Sequence, residues 1–364
     1  MKIGIDARCF NGSKTGVANN VYNLLKELML VRPNDTFYLY SCSDFDSPIK
    51  DSRLVKRIGT SFQSKSGLIW YYTECRRAVL DDGVDVFWAP CGILPKLSPK
   101  IKTVLTINDF VWKKHPESMK LRFRLILTIL SRPSVLNADK IFTISSAVAT
   151  ELEEYMSRPA DAVIRPAVDY KFNHREFSEI EAVKRKYGIS TPYFLIVGTL
   201  EPRKNLDVFL RAYSDLLSTY GKGASSCKLV IAGGKGWKYS EIVKLINHAE
   251  KNGWVQCLGY VEDEDLPALY SGADVFFMPS RYEGFGMPVL EARYCGTPLV
   301  VADVPAMHEA GGDAVLYHPP TYEGIYEALK RIVIRKEKPP TPNIETVTWS
   351  WPSGALQLSS LIDV

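Results

Sequence analysis

Val275-Phe276-Phe277-Met278-Pro279-Ser280-Arg281-Tyr282-Glu283-Gly284-Phe285-Gly286-Met287-Pro288-Val289-Leu290-Glu291 runs from a short apolar block, through a turn, into a helix start. A brief apolar run bounded by turn residues predicts a strand buried on both faces. Pro288 suits the first helical position and Gly296 the residue after the last, so a helix is predicted over 288–295. Strand, turn and helix in that order form the repeating unit of a parallel α/β sheet. Ligands bind such sheets at the carboxyl ends of strands, where helix N-termini present N–H groups.

The pattern extends through the chain. Strands are predicted at 2–5, 37–40, 84–88, 103–107 and 140–144, and again at 193–197, 228–232, 255–258, 275–278 and 299–302. The series starts twice, which predicts two Rossmann-like α/β domains. Between the two series lie Arg165-Pro166-Ala167-Val168-Asp169 and the charged stretch 171–186, read as a linker and a leading helix, with the boundary near residue 175. No internal repeat joins the halves. Helices are predicted after Gly16, where Val17, Val21, Leu24, Leu25 and Leu28 share a face, and after Asn205, read as an N-cap, where Leu206, Phe209, Leu210, Tyr213, Leu216 and Leu217 do, with Gly221 as the stop.

A chain of 364 residues suits two domains, and 46% hydrophobic with 24% charged residues is a globular composition. Lys2, Asp6 and Arg8 interrupt any signal-peptide core, and no stretch approaches the roughly 18 apolar residues of a membrane span. Cysteines at 9, 42, 75, 91, 227, 257 and 295 form no C-x-x-C pair, and their odd number suits reduced thiols. A cytoplasmic protein without a structural zinc site is the expectation. Residues 1–172 carry 25 Lys+Arg against 18 Asp+Glu, a net +7, while the remainder is net −3. Two readings stay open: surface variation, or attraction of the first half to an anionic lipid surface or a phosphorylated acceptor. Without a dense basic tract or a recognisable module, nucleic acid is not an expected partner.

In the opening segment, Glu283 lies on the loop and Glu291 near the first helical turn. Two ionised carboxylates there could clamp sugar hydroxyls through charge-assisted hydrogen bonds; alternatively, Glu283 is solvated and Glu291 is a favourable helix charge. Gly284, Phe285, Gly286 and Met287 would bring main-chain N–H groups to the same place. In Gly198-Thr199-Leu200-Glu201-Pro202-Arg203-Lys204-Asn205, two cations sit at the mouth of a helix, a site that suits a diphosphate; the alternative is a pair of exposed basic residues on a turn. The first turn, Asn11-Gly12-Ser13-Lys14-Thr15-Gly16-Val17, is neither G-x-G-x-x-G nor a Walker loop, which argues against a dinucleotide dehydrogenase and a P-loop NTPase. Gly233-Gly234-Lys235-Gly236-Trp237 fails the same tests and reads as a strand-to-helix turn.

Taken in order, these segments resemble retaining glycosyltransferase family 4 over nearly the whole chain, together with Leu258-Gly259-Tyr260-Val261, Glu309-Ala310-Gly311-Gly312-Asp313-Ala314 and an E-x7-E pair at Glu283 and Glu291. The resemblance implies two Rossmann-like domains facing across a cleft, the GT-B fold, as an acceptor domain over 1–174, a nucleotide-sugar domain over 175–346, and a helix over 347–364 returning to the first domain after Trp349-Ser350-Trp351. It implies that Arg203 and Lys204 bind the donor diphosphate, Glu291 the ribose, and that Glu283 faces the transferred sugar. Phe285, Gly286 and Met287 would add main-chain contacts, Gly284 would line the same loop, Gly16 would approach the phosphates, and the base would lie near Gly259, Tyr260 and Val261. Neither metal nor cofactor is implied, the nucleotide-diphosphate sugar being a co-substrate.

One position departs from the family. Where many members have His-Asp, this chain has Asn108-Asp109, and Asn donates a hydrogen bond but carries no charge. Asn108 and Asp109 are catalytic candidates, or they cap a turn. His115 is assigned no role. Over 120–130, Lys120 and Arg124 lie one turn apart, with Leu121, Leu125, Ile126 and Ile129 largely opposite. Such a helix lies on an anionic membrane, or packs its apolar stripe into the first domain. The chain is similar to bacterial mannosyl- and rhamnosyltransferases of surface polysaccharide (O-antigen) assembly. That similarity implies hexose transfer, first from GDP-mannose, to a growing lipid-diphosphate-linked glycan at the inner face of the cell membrane. The alternatives are a nucleotide-sugar epimerase of the same fold and an inactive glycan- or partner-binding homologue.

Overall fold

A computed structural model of the chain describes residues 1–12, 15–47, 49–60, 66–221 and 226–363. Ser13 and Lys14, in the expected first turn, lie outside the described residues. The chain divides into two compact units, Met1–Phe110 with Arg122–Ala167 and Trp349–Val364, and Val111–Leu121 with Val168–Thr348. The change of unit at Ala167/Val168 precedes the expected 174/175, because the polar stretch after it already belongs to the second unit: the Arg175 N–H donates to Ser271 Oγ at 3.0 Å, and His174 Nδ1 lies 3.1 Å from the Cys295 carbonyl. The excursion 111–121 was not foreseen; nothing in its composition marks a change of partner.

In the first unit, β1 (Lys2–Asp6), β2 (Thr36–Ser41), β3 (Leu54–Ile58), β4 (Val86–Ala89), β5 (Lys102–Ile107), β6 (Lys140–Thr143) and β7 (Ala162–Val163) form a parallel sheet in the order β3-β2-β1-β4-β5-β6-β7. The central strands read as continuous apolar runs because both faces are covered, and Ile3, Ile5, Phe37, Leu39, Val86 and Trp88 are buried. The Gly16–Val31 helix opens on Thr15, whose hydroxyl accepts from the Ala18 N–H at 3.2 Å, and it buries Val21, Leu24, Leu25 and Leu28.

Against that helix packs the C-terminal helix, Trp351–Asp363. Ala355, Leu358 and Ile362 join the first unit's core, Trp349 Nε1 donates to the Pro166 carbonyl at 2.9 Å, and Arg32 Nη1 donates to Ser359 Oγ and Asp363 Oδ1 at 2.9 and 2.8 Å. The helix returns to the first unit, as the resemblance implied.

In the second unit, β8 (Tyr193–Val197), β9 (Lys228–Ala232), β10 (Val255–Gly259), β11 (Val275–Met278), β12 (Leu299–Ala302) and β13 (Leu316–His318) form a parallel sheet in the order β10-β9-β8-β11-β12-β13. β8 and β11 are neighbours, and the chain leaves them in opposite lateral directions, so their carboxyl ends mark the switch point at which doubly wound sheets bind ligands. Strands β3, β7 and β13 escaped the sequence reading. β3 carries Lys56 and Arg57, whereas β7 and β13 are very short. All three are edge strands, which are commonly short or charged.

Candidate functional site

The loop after β8 is shaped by glycine. A Cβ on Gly233, which follows β9, would lie 1.9 Å from the Gly198 carbonyl oxygen, so the two strand ends meet only because Gly233 lacks a side chain. Leu200 and Gly236 then lace the two turns: the Leu200 N–H donates to the Gly234 carbonyl at 2.9 Å, and the Gly236 N–H to the Leu200 carbonyl at 3.2 Å. The Gly233 cluster, read as a plain turn, braces the segment carrying Arg203 and Lys204.

Asn205 follows, fully buried, in the left-handed region at φ 61°. It makes no side-chain cap, contrary to the expectation. Its Nδ2 donates instead to the carbonyls of Pro279 and Pro320 at 3.1 and 3.0 Å, and its Oδ1 accepts from Arg281 Nε at 2.8 Å. One side chain thereby ties the loop after β8 to the chain leaving β11 and β13. Asn at a helix start signals a cap, so nothing local distinguished this use.

Arg203, Lys204 and Glu283 come together. Lys204 Nζ donates to Glu283 Oε1 at 2.6 Å, Arg203 Nη1 to Glu283 Oε2 at 2.6 Å, and Arg203 Nη2 pairs with Glu201 at 2.7 Å. Lys204 is 8% exposed and Glu283 9%, which rules out the solvated readings of both. Burial pushes the Glu283 carboxyl up, but Arg203 and Lys204 outweigh it and hold the group at about 2. Burial lowers the Lys204 ammonium, with Glu283 opposing. With its carboxyl held that low, Glu283 is ionised at neutral pH and accepts both hydrogen bonds.

The helix after this loop is Met287–Tyr294, one residue earlier than predicted at each end, capped by Gly286 at φ 103°, where a Cβ would also press on Met307 Sδ at 3.2 Å. Glu291 is on this helix, deep-set yet partly accessible, and accepts from the Tyr270 hydroxyl at 2.9 Å. Burial lifts its carboxyl to about 7, against the Tyr270 hydrogen bond. Sequence spacing gave no hint of Tyr270, which comes from the Leu266–Ser271 helix. The Gly259 carbonyl accepts from the Gly233 N–H at 2.7 Å, and beyond it Tyr260 is 60% exposed whereas Val261 is buried.

Gly16, Asn108 and Asp109 belong to the first unit. Gly16 heads its helix, and a Cβ there would meet nothing within 4 Å, so local packing does not demand glycine. Asn108 Nδ2 donates to the Pro90 carbonyl at 2.8 Å, which ties the end of β5 to that of β4. The excursion brings His115 to 5.7 Å from the Tyr282 ring, and Lys238 Nζ donates to the Glu117 carbonyl at 2.6 Å. Among the described residues, no cluster of three or more His, Cys, Asp or Glu side chains is placed to hold a metal ion, and no helix is long and apolar enough to cross a membrane.

Residues 179–341 match the family Glycosyl transferases group 1. The chain is 37% identical over 239 residues to O-antigen chain mannosyltransferase B of Escherichia coli, a match covering 65% of this chain and 61% of that protein. The chain thus spans less than two thirds of that relative's length. Among solved structures it is similar to sucrose-phosphate synthase from Thermosynechococcus elongatus, with TM-score 0.75, 17% identity, and coverage of 100% of this chain and 98% of that one. It is also similar to Anabaena HepE in complex with UDP and glucose, with TM-score 0.73, 14% identity, and coverage of 100% and 99%. The fold is that of the GT-B glycosyltransferases.

Proposed function

We infer, from a second unit that carries a glycosyl transferases group 1 domain, that this protein moves a hexose from a nucleotide-diphosphate donor to a glycan acceptor. The observation that carries the reading is the enclosed Arg203–Glu283–Lys204 cluster at the switch point between β8 and β11. Arg203 and Lys204 are held against Glu283 and Glu201, so a diphosphate would draw on cations that these two carboxylates keep in place. As the anomeric C–O bond breaks, negative charge grows on that diphosphate. Arg203, Lys204 and the N–H groups at the head of the Met287–Tyr294 helix are fixed dipoles and charges that need no reorganisation to meet it. Glu283 accepts hydroxyls of the transferred sugar, and Glu291 those of the ribose. The reaction retains anomeric configuration and calls on no metal.

Mannose from GDP-mannose is the first donor proposed, supported by the O-antigen mannosyltransferase relative. The acceptor is a growing glycan on a lipid diphosphate, presented on the cytoplasmic side of the cell membrane. Asn108, with one amide hydrogen committed to Pro90, keeps a second to offer the sugar or its leaving phosphate.

A thermal-shift screen against GDP-, UDP- and dTDP-sugars tests the donor, since a ligand at 100 times its Kd stabilises by about 2.7 kcal/mol. Product analysis with a lipid-diphosphate glycan then follows the sugar. No shift with any donor, a donor sugar altered without transfer, or a donor bound but never turned over would each overturn the proposal.

A further inference from the structure

The segment Val111–Leu121 leaves the first unit after Phe110 and rejoins it at Arg122, yet packs with the second. Val111–Lys114 forms one helical turn, closed by the His115 N–H donating to the Val111 carbonyl at 2.8 Å. A 3-10 turn over Pro116–Ser118 follows, in which the Ser118 N–H donates to the His115 carbonyl at 2.9 Å. This fold of the backbone brings His115 Nδ1 to 3.0 Å from Glu117 Oε1. An ionised carboxylate only accepts, so Nδ1 carries the proton and the imidazole is held in one orientation.

Held in this way, the ring meets that of Tyr282, with centroids 5.7 Å apart and planes inclined by 44°, and Lys114 Nζ stands 5.7 Å from the centroid of the same tyrosine. Tyr282 is buried, its carbonyl accepts from Arg203 Nη1 at 3.2 Å, and Glu283 is the next residue. A second grip is on the loop after β9, where Lys238 Nζ donates to the Glu117 carbonyl at 2.6 Å and Lys120 Nζ lies 5.4 Å from the Trp237 ring. Since β9, β8 and β11 are neighbours in that order, the segment holds the loops on either side of the one that carries Arg203 and Lys204. Arg203 and Lys204 fix the carboxylate end of Glu283, whereas its backbone runs on into Gly284 and Gly286, which restrain it little. The ring of the preceding residue is the place where that backbone can be held.

We propose that Val111–Leu121 is a strap across the donor loops, and that His115, oriented by Glu117, is a positioning residue that keeps Tyr282, and with it Glu283, in register with Arg203 and Lys204. Two measurements test this; the first needs no sugar, and the second rests on the transfer reading. Hydrogen exchange is followed on the full chain without ligand for the wild type, His115→Ala, His115→Phe and Lys238→Met. Losing one aromatic contact should speed exchange over 280–286 in His115→Ala by about three- to tenfold, with regions away from the donor loops unchanged. In transfer assays the same variant should lose about tenfold in kcat, because Glu283 is displaced, while donor KM and the calorimetric affinity for the nucleoside diphosphate stay within about twofold. His115→Phe, which keeps a ring but no titrating nitrogen, should recover much of both losses. Lys238→Met, which frees the strap from the other loop, should show the His115→Ala pattern more weakly, and it carries both measurements with the same criteria if His115→Ala does not fold. Unchanged exchange over 280–286, an undiminished kcat, a loss of nucleotide affinity as large as that in kcat, or a His115→Phe enzyme as slow as His115→Ala would each overturn the proposal. If the wild type transfers no sugar while His115→Ala still loosens 280–286, the strap stands and the transfer reading falls.

Discussion

Glu291→Gln exchanges one carboxylate oxygen for an amide and removes a charge from a deep-set position. Burial moves this carboxyl from the ordinary 4.5 to about 7. The native state thus holds the proton more tightly than the unfolded chain, and stability falls as pH rises between those values and then levels off. At about 1.36 kcal/mol per unit, carrying the charge at pH 8 costs about 3 kcal/mol. Gln does not titrate, and its amide oxygen still accepts from the Tyr270 hydroxyl. The variant should therefore match the wild type to within a few tenths of a kcal/mol near pH 4 and exceed it by up to about 3 kcal/mol at pH 8, roughly 6–12 °C in Tm. Melting curves followed by circular dichroism at the two pH values, without nucleotide, measure the gap. A gap that does not widen with pH, or a variant less stable than the wild type at pH 8, refutes the reasoning. If Glu291 clamps the ribose, the same variant should bind nucleotide at least about tenfold more weakly, since the lost hydrogen bonds are charge-assisted.

Glu283→Gln should abolish transfer while calorimetry finds nucleoside-diphosphate binding kept or tightened, because Arg203 and Lys204 lose their competing anion; undiminished turnover would remove Glu283 from the reaction. That carboxyl, held at about 2, contributes stability that is present above pH 4.5 and lost as pH falls toward 2, so the variant's acid-unfolding curve should be flatter over that window. Lys204→Ala should cost about 3–5 kcal/mol by leaving an enclosed carboxylate short of a partner, and should weaken both binding and transfer; equal donor affinity in variant and wild type would count against the diphosphate role. Asn205→Ala deletes three hydrogen bonds and places Ala at positive φ, so a loss of about 2–4 kcal/mol is expected in melts. A change within about 0.5 kcal/mol, the range of ordinary surface substitutions, would show that the brace is incidental.

The sheet strands that are buried on both faces were legible because a parallel sheet writes itself as uninterrupted apolar runs; β8, β9, β11 and β12 begin and end where the sequence placed them. Edge strands β3 and β13 lack that signature, having only one neighbour to cover them. At the site, Arg203, Lys204 and Glu283 were identifiable from residue type beside a turn, but their mutual pairing was not, since it joins loops far apart in sequence. Asn205 and Tyr270 show the same limit. A buried amide that crosslinks three loops, and a tyrosine that holds a glutamate from a neighbouring helix, look in sequence like a helix cap and an ordinary core aromatic. The Leu121–Asn137 helix failed in another way: its residues read as amphipathic, yet the buried side is made of Ser131, Ser134 and Val135, and the stronger apolar stripe faces solvent.

The return of the Trp351–Asp363 helix to the first unit has a consequence for the order of events on the ribosome. The Gly16–Val31 helix is made before the second unit, yet Leu24 and Leu28 are sealed from water in part by Ala355, Leu358 and Ile362, which are made after it. The second unit is translated in between and needs none of that helix. The second unit can thus finish folding first, while the first waits with an open apolar face until the Trp351–Asp363 helix arrives to close it.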